Sequence, residues 1–292
     1  MACSTAYART MRPIALMLPV LSIFATLPAS AASPERVVVV ACAPGFPGTS
    51  AEAQPYMDSL AAALTRRLKT GPDTFGAVYL PGDAEGVARL GEPDAVVALV
   101  TLPFFLQHAP ALGLTARLQV QVSGTGLFER WALVAKKGRI ARPADLAGFT
   151  VLSTAGYAPA FVRGALQPWG TLPDGVAVAP TPQVISALRK AASGAPVAVL
   201  LDGAQAASLG TLPFAADVEV VARSAQLPTA VVATIGTHLP AARWTRLEKA
   251  LLALGDDPEG SAALAGIRME RFAPLDAGVM AAARATVAGG AR

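Results

Sequence analysis

Residues 117–135 read Arg-Leu-Gln-Val-Gln-Val-Ser-Gly-Thr-Gly-Leu-Phe-Glu-Arg-Trp-Ala-Leu-Val-Ala. Two extended segments, Arg117–Val122 and Trp131–Ala135, are parted by Ser123-Gly124-Thr125-Gly126, residues that punctuate regular structure. On either side of this break, short Val-rich apolar runs alternate with stretches of helical period, the order a mostly parallel α/β sheet requires. The break is therefore read as a first crossing between two lobes.

Upstream, Val37–Cys42 reads as a strand and Pro55–Leu68 as a helix, its Tyr56, Leu60, Leu64 and Leu68 recurring along one face. Strands Ala77–Leu80 and Asp94–Val100 follow, then a short helix over Leu102–Ala109 with Pro103 near its start, where a missing N–H does little harm. Downstream come strand Thr150–Ser153, helix Tyr157–Leu166, strand Val176–Val178, helix Pro182–Ala192 and strand Val197–Leu201. Val218–Val221 and Thr229–Thr234 read as the return crossing. Closing helices that include Trp244, Leu247, Leu251 and Leu254 are expected to pack back on the first lobe. The expected architecture is two α/β lobes, each a mostly parallel sheet flanked by helices, joined by a two-stranded hinge. Residues 32–122 with 229–292 form the first lobe and 123–228 the second. A ligand would sit between them at the carboxyl ends of the strands.

The first 31 residues carry Arg9 and Arg12 ahead of an apolar run, Ile14–Leu27, that ends in Ala29-Ser30-Ala31, the pattern of a cleaved secretory signal peptide. Its removal takes two of the 24 Lys+Arg and none of the 20 Asp+Glu, leaving 22 against 20 and a net charge of +2. With no basic run longer than a pair, the chain has no footprint for nucleic acid. Cys3 leaves with the signal, so the lone Cys42 has no internal disulfide partner and is expected to be a buried structural residue.

Three segments carry a resemblance. Ser224-Ala225-Gln226-Leu227-Pro228-Thr229 resembles the return crossing of the phosphate, phosphite and phosphonate group of ABC-transporter solute-binding proteins, which have the type II periplasmic binding fold. Asp257-Pro258-Glu259-Gly260 and Arg271-Phe272-Ala273-Pro274-Leu275-Asp276 are similar to that group's carboxyl-terminal helices and closing phrase. Trp131–Phe149, with its Lys136-Lys137-Gly138 turn and Ala144-Asp145-Leu146-Ala147-Gly148, is similar too. The resemblance implies a small anionic or zwitterionic ligand, phosphate- or phosphonate-like, an ABC permease in the inner membrane as partner, and periplasmic residence as a monomer.

The first candidate site is Ser153-Thr154-Ala155-Gly156, between a strand and the start of a helix, where unpaired backbone N–H groups and the helix dipole favour an anion. In the family resembled the turn reads Ser-Thr-Ser-Gly and holds phosphonate oxygens; Ala155 removes one hydroxyl. The same residues also make an ordinary N-cap. Asp202 follows the strand Val197–Leu201, so its carboxylate faces the expected cleft, and the resemblance gives it a cationic or hydroxyl part of the ligand; it would equally cap the helix Gly203–Leu209. Thr101 at the end of its strand, Phe46 in the loop 43–50, and Tyr157 just inside a helix complete the set, with helix-cap and core roles as their alternatives.

No catalytic constellation assembles. His108 and His238 are the only histidines and read as surface or capping residues, no Gly-x-Ser-x-Gly elbow or P-loop occurs, and Gly124-x-Gly126 has Glu129 where a third glycine belongs. No metal or cofactor is expected. The main alternative to transport is a ligand-sensing or interaction module of the same fold.

Overall fold

The computed structural model describes residues 1–2 and 36–290. Residues 3–31 of the expected signal peptide lie outside the described residues. Every element below belongs to one compact unit, Ser33–Arg292.

In chain order the elements are β1 (Val37–Cys42), α1 (Ser50–Leu68), β2 (Phe75–Leu80), α2 (Asp83–Leu90), β3 (Ala95–Thr101), α3 (Leu102–Leu112), β4 (Leu114–Val122), β5 (Phe128–Glu129) and β6 (Ala132–Lys136). There follow β7 (Thr150–Ser153), α4 (Pro159–Leu166), β8 (Ala177–Pro180), α5 (Val184–Ala192), β9 (Val197–Leu201), α6 (Gly203–Ser208) and β10 (Val218–Arg223). The chain ends with β11 (Leu227–Pro228), β12 (Ala230–Ile235), α7 (Ala241–Leu252), α8 (Pro258–Gly266), β13 (Met269–Pro274) and α9 (Ala277–Gly290).

The strands form two larger sheets, ordered β13-β4-β12-β3-β1-β2 and β10-β6-β9-β7-β8. A two-stranded ribbon of β5 and β11 lies between them in the chain, pairing Leu227 with Glu129 and Pro228 with Phe128. The α/β class matches the reading of the sequence, but both sheets are mixed. β1 runs parallel to β2 and β3, and β7 parallel to β8 and β9, whereas β12, β13, β6 and β10 pair antiparallel. β12, which follows the return crossing, runs antiparallel to both of its neighbours, β3 and β4.

Local chemistry sets the element ends. Thr49 caps α1 through a reciprocal capping box with Glu52, so the helix starts before Pro55, and Lys69 closes it in the left-handed conformation. All six residues of β1 and of β12 are buried, as central strands covered on both faces must be. One apolar cluster lies between α1, α7 and α8 and the outer face of the first sheet, including Leu60, Leu64, Trp244 and Leu264. A smaller one lies under α5. The largest runs without interruption from Val40 and Phe104 through Trp131 and Phe161 to Val151 and Leu200, joining both sheets.

Two differences concern the carboxyl terminus. Met269–Pro274 is an edge strand, and the last helix, α9, packs along α4 beside the second sheet. Glycines permit that packing: a Cβ on Gly164 would fall 2.0 Å from the Thr286 carbonyl oxygen, and one on Gly290 would fall 2.0 Å from that of Ala160. Gly164→Ala should therefore remove about 1–3 kcal/mol of stability by overpacking, read by equilibrium urea unfolding. An unchanged midpoint would mean that α9 shifts freely on α4.

Candidate functional site

The carboxyl ends of β1, β3, β7 and β9 and the β5–β11 ribbon surround a cleft of about 360 Å³, a volume suited to a small molecule. Phe46, Thr101, Thr154, Ala155, Tyr157 and Asp202 line it. Ser153 and Gly156 do not. The Ser153 hydroxyl is fully buried, donates to the Leu200 carbonyl at 2.8 Å and accepts from the Ala155 N–H at 3.2 Å. The Gly156 N–H donates to the Ser153 carbonyl at 3.1 Å. A Cβ on Gly156 would lie 2.2 Å from the carbonyl of Ala179, so this glycine serves the close approach of β8. The expected anion cradle is thereby corrected: two of its N–H groups turn back onto Ser153, and α4 begins only at Pro159, whose fixed φ suits the first helical position. Tyr157 stands in the turn before the helix rather than inside it.

Three buried polar atoms on the cleft lining have no hydrogen-bond partner: Thr154 Oγ1, Trp131 Nε1 and Asp202 Oδ2. Asp202 divides its carboxylate. One oxygen accepts from the Gln205 N–H at 2.8 Å and the Gln205 side chain accepts in return from the Asp202 N–H, a capping box for α6. The other oxygen stays unpartnered. The helix-capping reading of Asp202 thus holds, and the same residue lines the cleft. Burial raises its pKa, opposed by the N–H groups of Gln205 and Ala204.

Like Trp131, Glu129 is a lining residue that sequence reasoning missed. It sits in β5, 8% exposed, and its Oε2 accepts from the Gly203 N–H at 2.8 Å. Burial pushes its pKa up to about 8, with the Gly203 hydrogen bond opposing, Asp202 adding to the rise, and the nearby Trp131 indole N–H lowering it slightly without reaching hydrogen-bond geometry. Its signal in the sequence was an acid set among apolar residues at the crossing.

The two sides of the cleft meet directly. The Tyr157 and Thr101 hydroxyls lie 3.4 Å apart, and Gly45, at φ +81°, packs so closely on Thr154 that a Cβ would come within 3.0 Å of it. Burial raises the Tyr157 pKa, so its hydroxyl keeps its proton.

The remaining chemistry-bearing residues are structurally engaged. Burial, with Asp83 and Glu85 nearby, raises the Cys42 thiol to about 12, and Cys42 packs on Gly86. His108 Nε2 lies 2.7 Å from Asp83 Oδ1, and His238 Nδ1 lies 2.8 Å from the Ala95 carbonyl. Among the described residues no group of His, Cys, Asp or Glu is arranged to hold a metal ion.

Two α/β sheets closing on a cleft with unpartnered polar groups define a solute-binding protein. The family profile described as ABC transporter, phosphonate, periplasmic substrate-binding protein matches residues 105–278, more than half of the chain, and the chain belongs to that family. The family comprises non-enzymatic periplasmic proteins that bind a small molecule and serve a permease. No curated protein sequence matches the chain. Among solved structures, a Xanthomonas citri protein bound to ATP superposes with a TM-score of 0.69 at 18% identity, covering 88% of this chain and 98% of its own. A Pseudomonas aeruginosa binding component of an ABC phosphonate transporter gives 0.62 at 12% identity, covering 86% and 85%. PhnD1 from Prochlorococcus marinus, in complex with methylphosphonate, gives 0.59 at 10% identity, covering 87% and 97%. At these identities the structures establish a shared fold.

Glu129 makes a pH prediction. A carboxyl whose pKa is raised by folding binds its proton more tightly in the native state, so its contribution to stability is complete below 4.5 and fades as pH climbs through about 8. Asp202 is shifted in the same direction. Urea midpoints should fall from pH 5 to pH 8.5 in the wild type and fall much less in Glu129→Gln; parallel profiles would place the Glu129 carboxyl in water.

Proposed function

We propose that the mature chain, freed of residues 1–31, is a monomeric periplasmic receptor that captures a small phosphonate-like anion or zwitterion and hands it unchanged to an ABC permease. The observation that carries this reading is the convergence of Thr154 Oγ1, Trp131 Nε1 and Asp202 Oδ2 on one cleft. Buried polar groups in native folds are almost always hydrogen-bonded, and three exceptions around one cavity are supplied with partners most simply by a ligand. Ser153 and Gly156 act from behind by fixing Thr154 and Ala155, while Thr101, Tyr157 and Phe46 contribute wall and closure.

Calorimetry against phosphate, phosphite and alkylphosphonates tests the ligand class. Saturable heat without consumption of the ligand supports binding without chemistry, and no heat with any of them removes the class. With the tightest of these ligands, Thr154→Ala should weaken binding roughly tenfold, the value of one good hydrogen bond in a desolvated site, and shift the melting temperature by no more than about 2 °C. A large loss of melting temperature with unaltered affinity would assign Thr154 to the framework.

The contacts Tyr157–Thr101 and Gly45–Thr154 join the two sides of the cleft, and a ligand held between them favours this closed arrangement. Solution scattering should therefore give a smaller radius of gyration at saturating ligand. A superimposable pair of curves would exclude a hinge motion.

A further inference from the structure

The cleft is longer than a small phosphonate. Its lining continues from Thr154 and Tyr157 along the edge of the first sheet to Tyr56, Val122, Arg268 and Met269. Thr101 stands opposite Ala230, Ala230 opposite Val120, and Met269 opposite Val122, so β3, β12, β4 and β13 lie side by side along this edge. Three strand spacings of about 4.8 Å put Met269 about 14 Å from Thr101, whose hydroxyl meets that of Tyr157. A phosphonate with a short arm, held at Thr154, ends well before that point.

The far arm has its own chemistry. Tyr56 is 50% exposed and its ring covers the end of α8, where a Cβ on Gly266 would fall 2.6 Å from Tyr56 Cδ1. Ile267 and Met269, both half-buried, add to an apolar wall. Arg268 is the single Lys or Arg of the cleft lining among the described residues. Its main chain is fixed: the Arg268 N–H donates to the Ala265 carbonyl at 3.0 Å, and its carbonyl accepts from the Ser123 N–H at 3.0 Å. Its side chain is exposed and makes no ion pair or hydrogen bond with the described residues. The nearby acids are taken elsewhere: Glu270 accepts from Gln121 Nε2, and Glu52, which also lines the cleft, accepts from the Thr49 N–H at 2.8 Å. Arg268 also follows α8 at φ 58°, a left-handed position that glycine adopts freely and a residue with a side chain does not. Lys69 shares the conformation but not the cleft. A long, unpaired cation kept at a strained position on the cleft wall points to a use for its charge.

We infer that Arg268, with the apolar wall of Tyr56, Ile267 and Met269, forms a second anion subsite that takes the far end of an elongated ligand. Such a ligand carries one anionic head at Thr154, an apolar arm along the edge of the first sheet, and a second anionic group on the Arg268 guanidinium. The inference rests on the binding reading above and extends it from small phosphonates to long molecules charged at both ends. A guanidinium holds a carboxylate or phosphate through two parallel charge-assisted hydrogen bonds, and the arm buries apolar area that a short phosphonate lacks.

The test is calorimetry of the full mature chain with alkylphosphonates whose arms have two or eight methylenes, with their ω-carboxylate derivatives, and with the matched long dicarboxylate. Eight methylenes at ~1.3 Å each, with the two head groups, span about 14 Å. Lengthening the arm should tighten binding roughly 30- to 100-fold, about half the free energy of burying six methylenes completely. The terminal carboxylate should add roughly tenfold on the long arm and nothing on the short one. Arg268→Gln should erase the carboxylate's gain and leave the plain long phosphonate unaffected. Arg268→Gly should erase it as well while the melting temperature holds or rises, because glycine suits that backbone. A fall in melting temperature with the gain intact would assign Arg268 to the framework and overturn the subsite. Binding of the dicarboxylate but of no phosphonate, lost in Arg268→Gln, supports the subsite and overturns the phosphonate assignment. Equal affinity for short and long arms, or a long-arm gain indifferent to the carboxylate and to Arg268→Gln, overturns the subsite and leaves the binding function standing. Heat with none of the compounds overturns the binding function and the subsite with it.

Discussion

The placement of β12 is the constraint from which the rest of the molecule follows. This strand enters the first sheet between β3 and β4, antiparallel to both, after the chain has already traversed the second sheet. The first sheet is therefore incomplete until residues 230–235 return, and the second sheet is built as an insertion inside the first. Because Ala230 stands opposite both Thr101 and Val120, the end of β3 and the start of the return strand are held side by side, and Leu102 donates to the Thr229 carbonyl at 3.2 Å. The crossing ribbon has nowhere to run except across the mouth of the sheet. Had the return strand been added at an edge, β3 and β4 would be free to pair, and Glu129 would have no reason to face the strand ends.

Much of this was legible. Val37–Cys42 and Val197–Leu201 announce strands because a central strand is apolar along its whole length, and the turn at 123–126 marks the crossing because glycine and small hydroxyl residues break both periods. The edge strand Met269–Pro274 escaped because only Phe272 within it is buried, and one buried residue carries no period. The early start of α1 is carried by the Thr49–Glu52 capping box, a local signal that outweighs Pro55 as a first helical residue. The direction of a hydrogen bond was not legible. Ser153 and Thr154 are chemically alike in the sequence, yet Ser153 turns into the sheet to reach Leu200 while Thr154 faces the cleft, and strand parity decides which. Glu129 acquires its meaning from Gly203, 74 positions away, and nothing local foretells that pairing.

The shared apolar cluster modifies the picture of two bodies on a hinge. Trp131 meets Phe161 edge-on at 5.1 Å, Phe104 and Phe105 lie in the same cluster, and α9 straps across it with the Arg284 guanidinium 5.6 Å from the ring centre of Phe105. The sheets are thus joined on one side by packed hydrophobic residues and on the other by the cleft. Packed interiors move between discrete arrangements rather than deforming continuously, so opening requires rotation about this cluster. Trp131 belongs to both, packing on Phe161 and lining the cleft.

Polar satisfaction separates framework from site. Buried side-chain atoms lacking partners among the described residues are Thr70 Oγ1, Gln119 Nε2 and the three of the cleft. A sequence selected for stability alone would replace Thr154 by valine and Asp202 by asparagine, keeping shape and helix cap while removing an orphaned hydroxyl and a desolvated charge. The chain instead keeps both and places Glu129 on the same lining. Such local departures from a satisfied interior belong where binding is to occur, because the free energy withheld from the empty fold is released when a partner arrives.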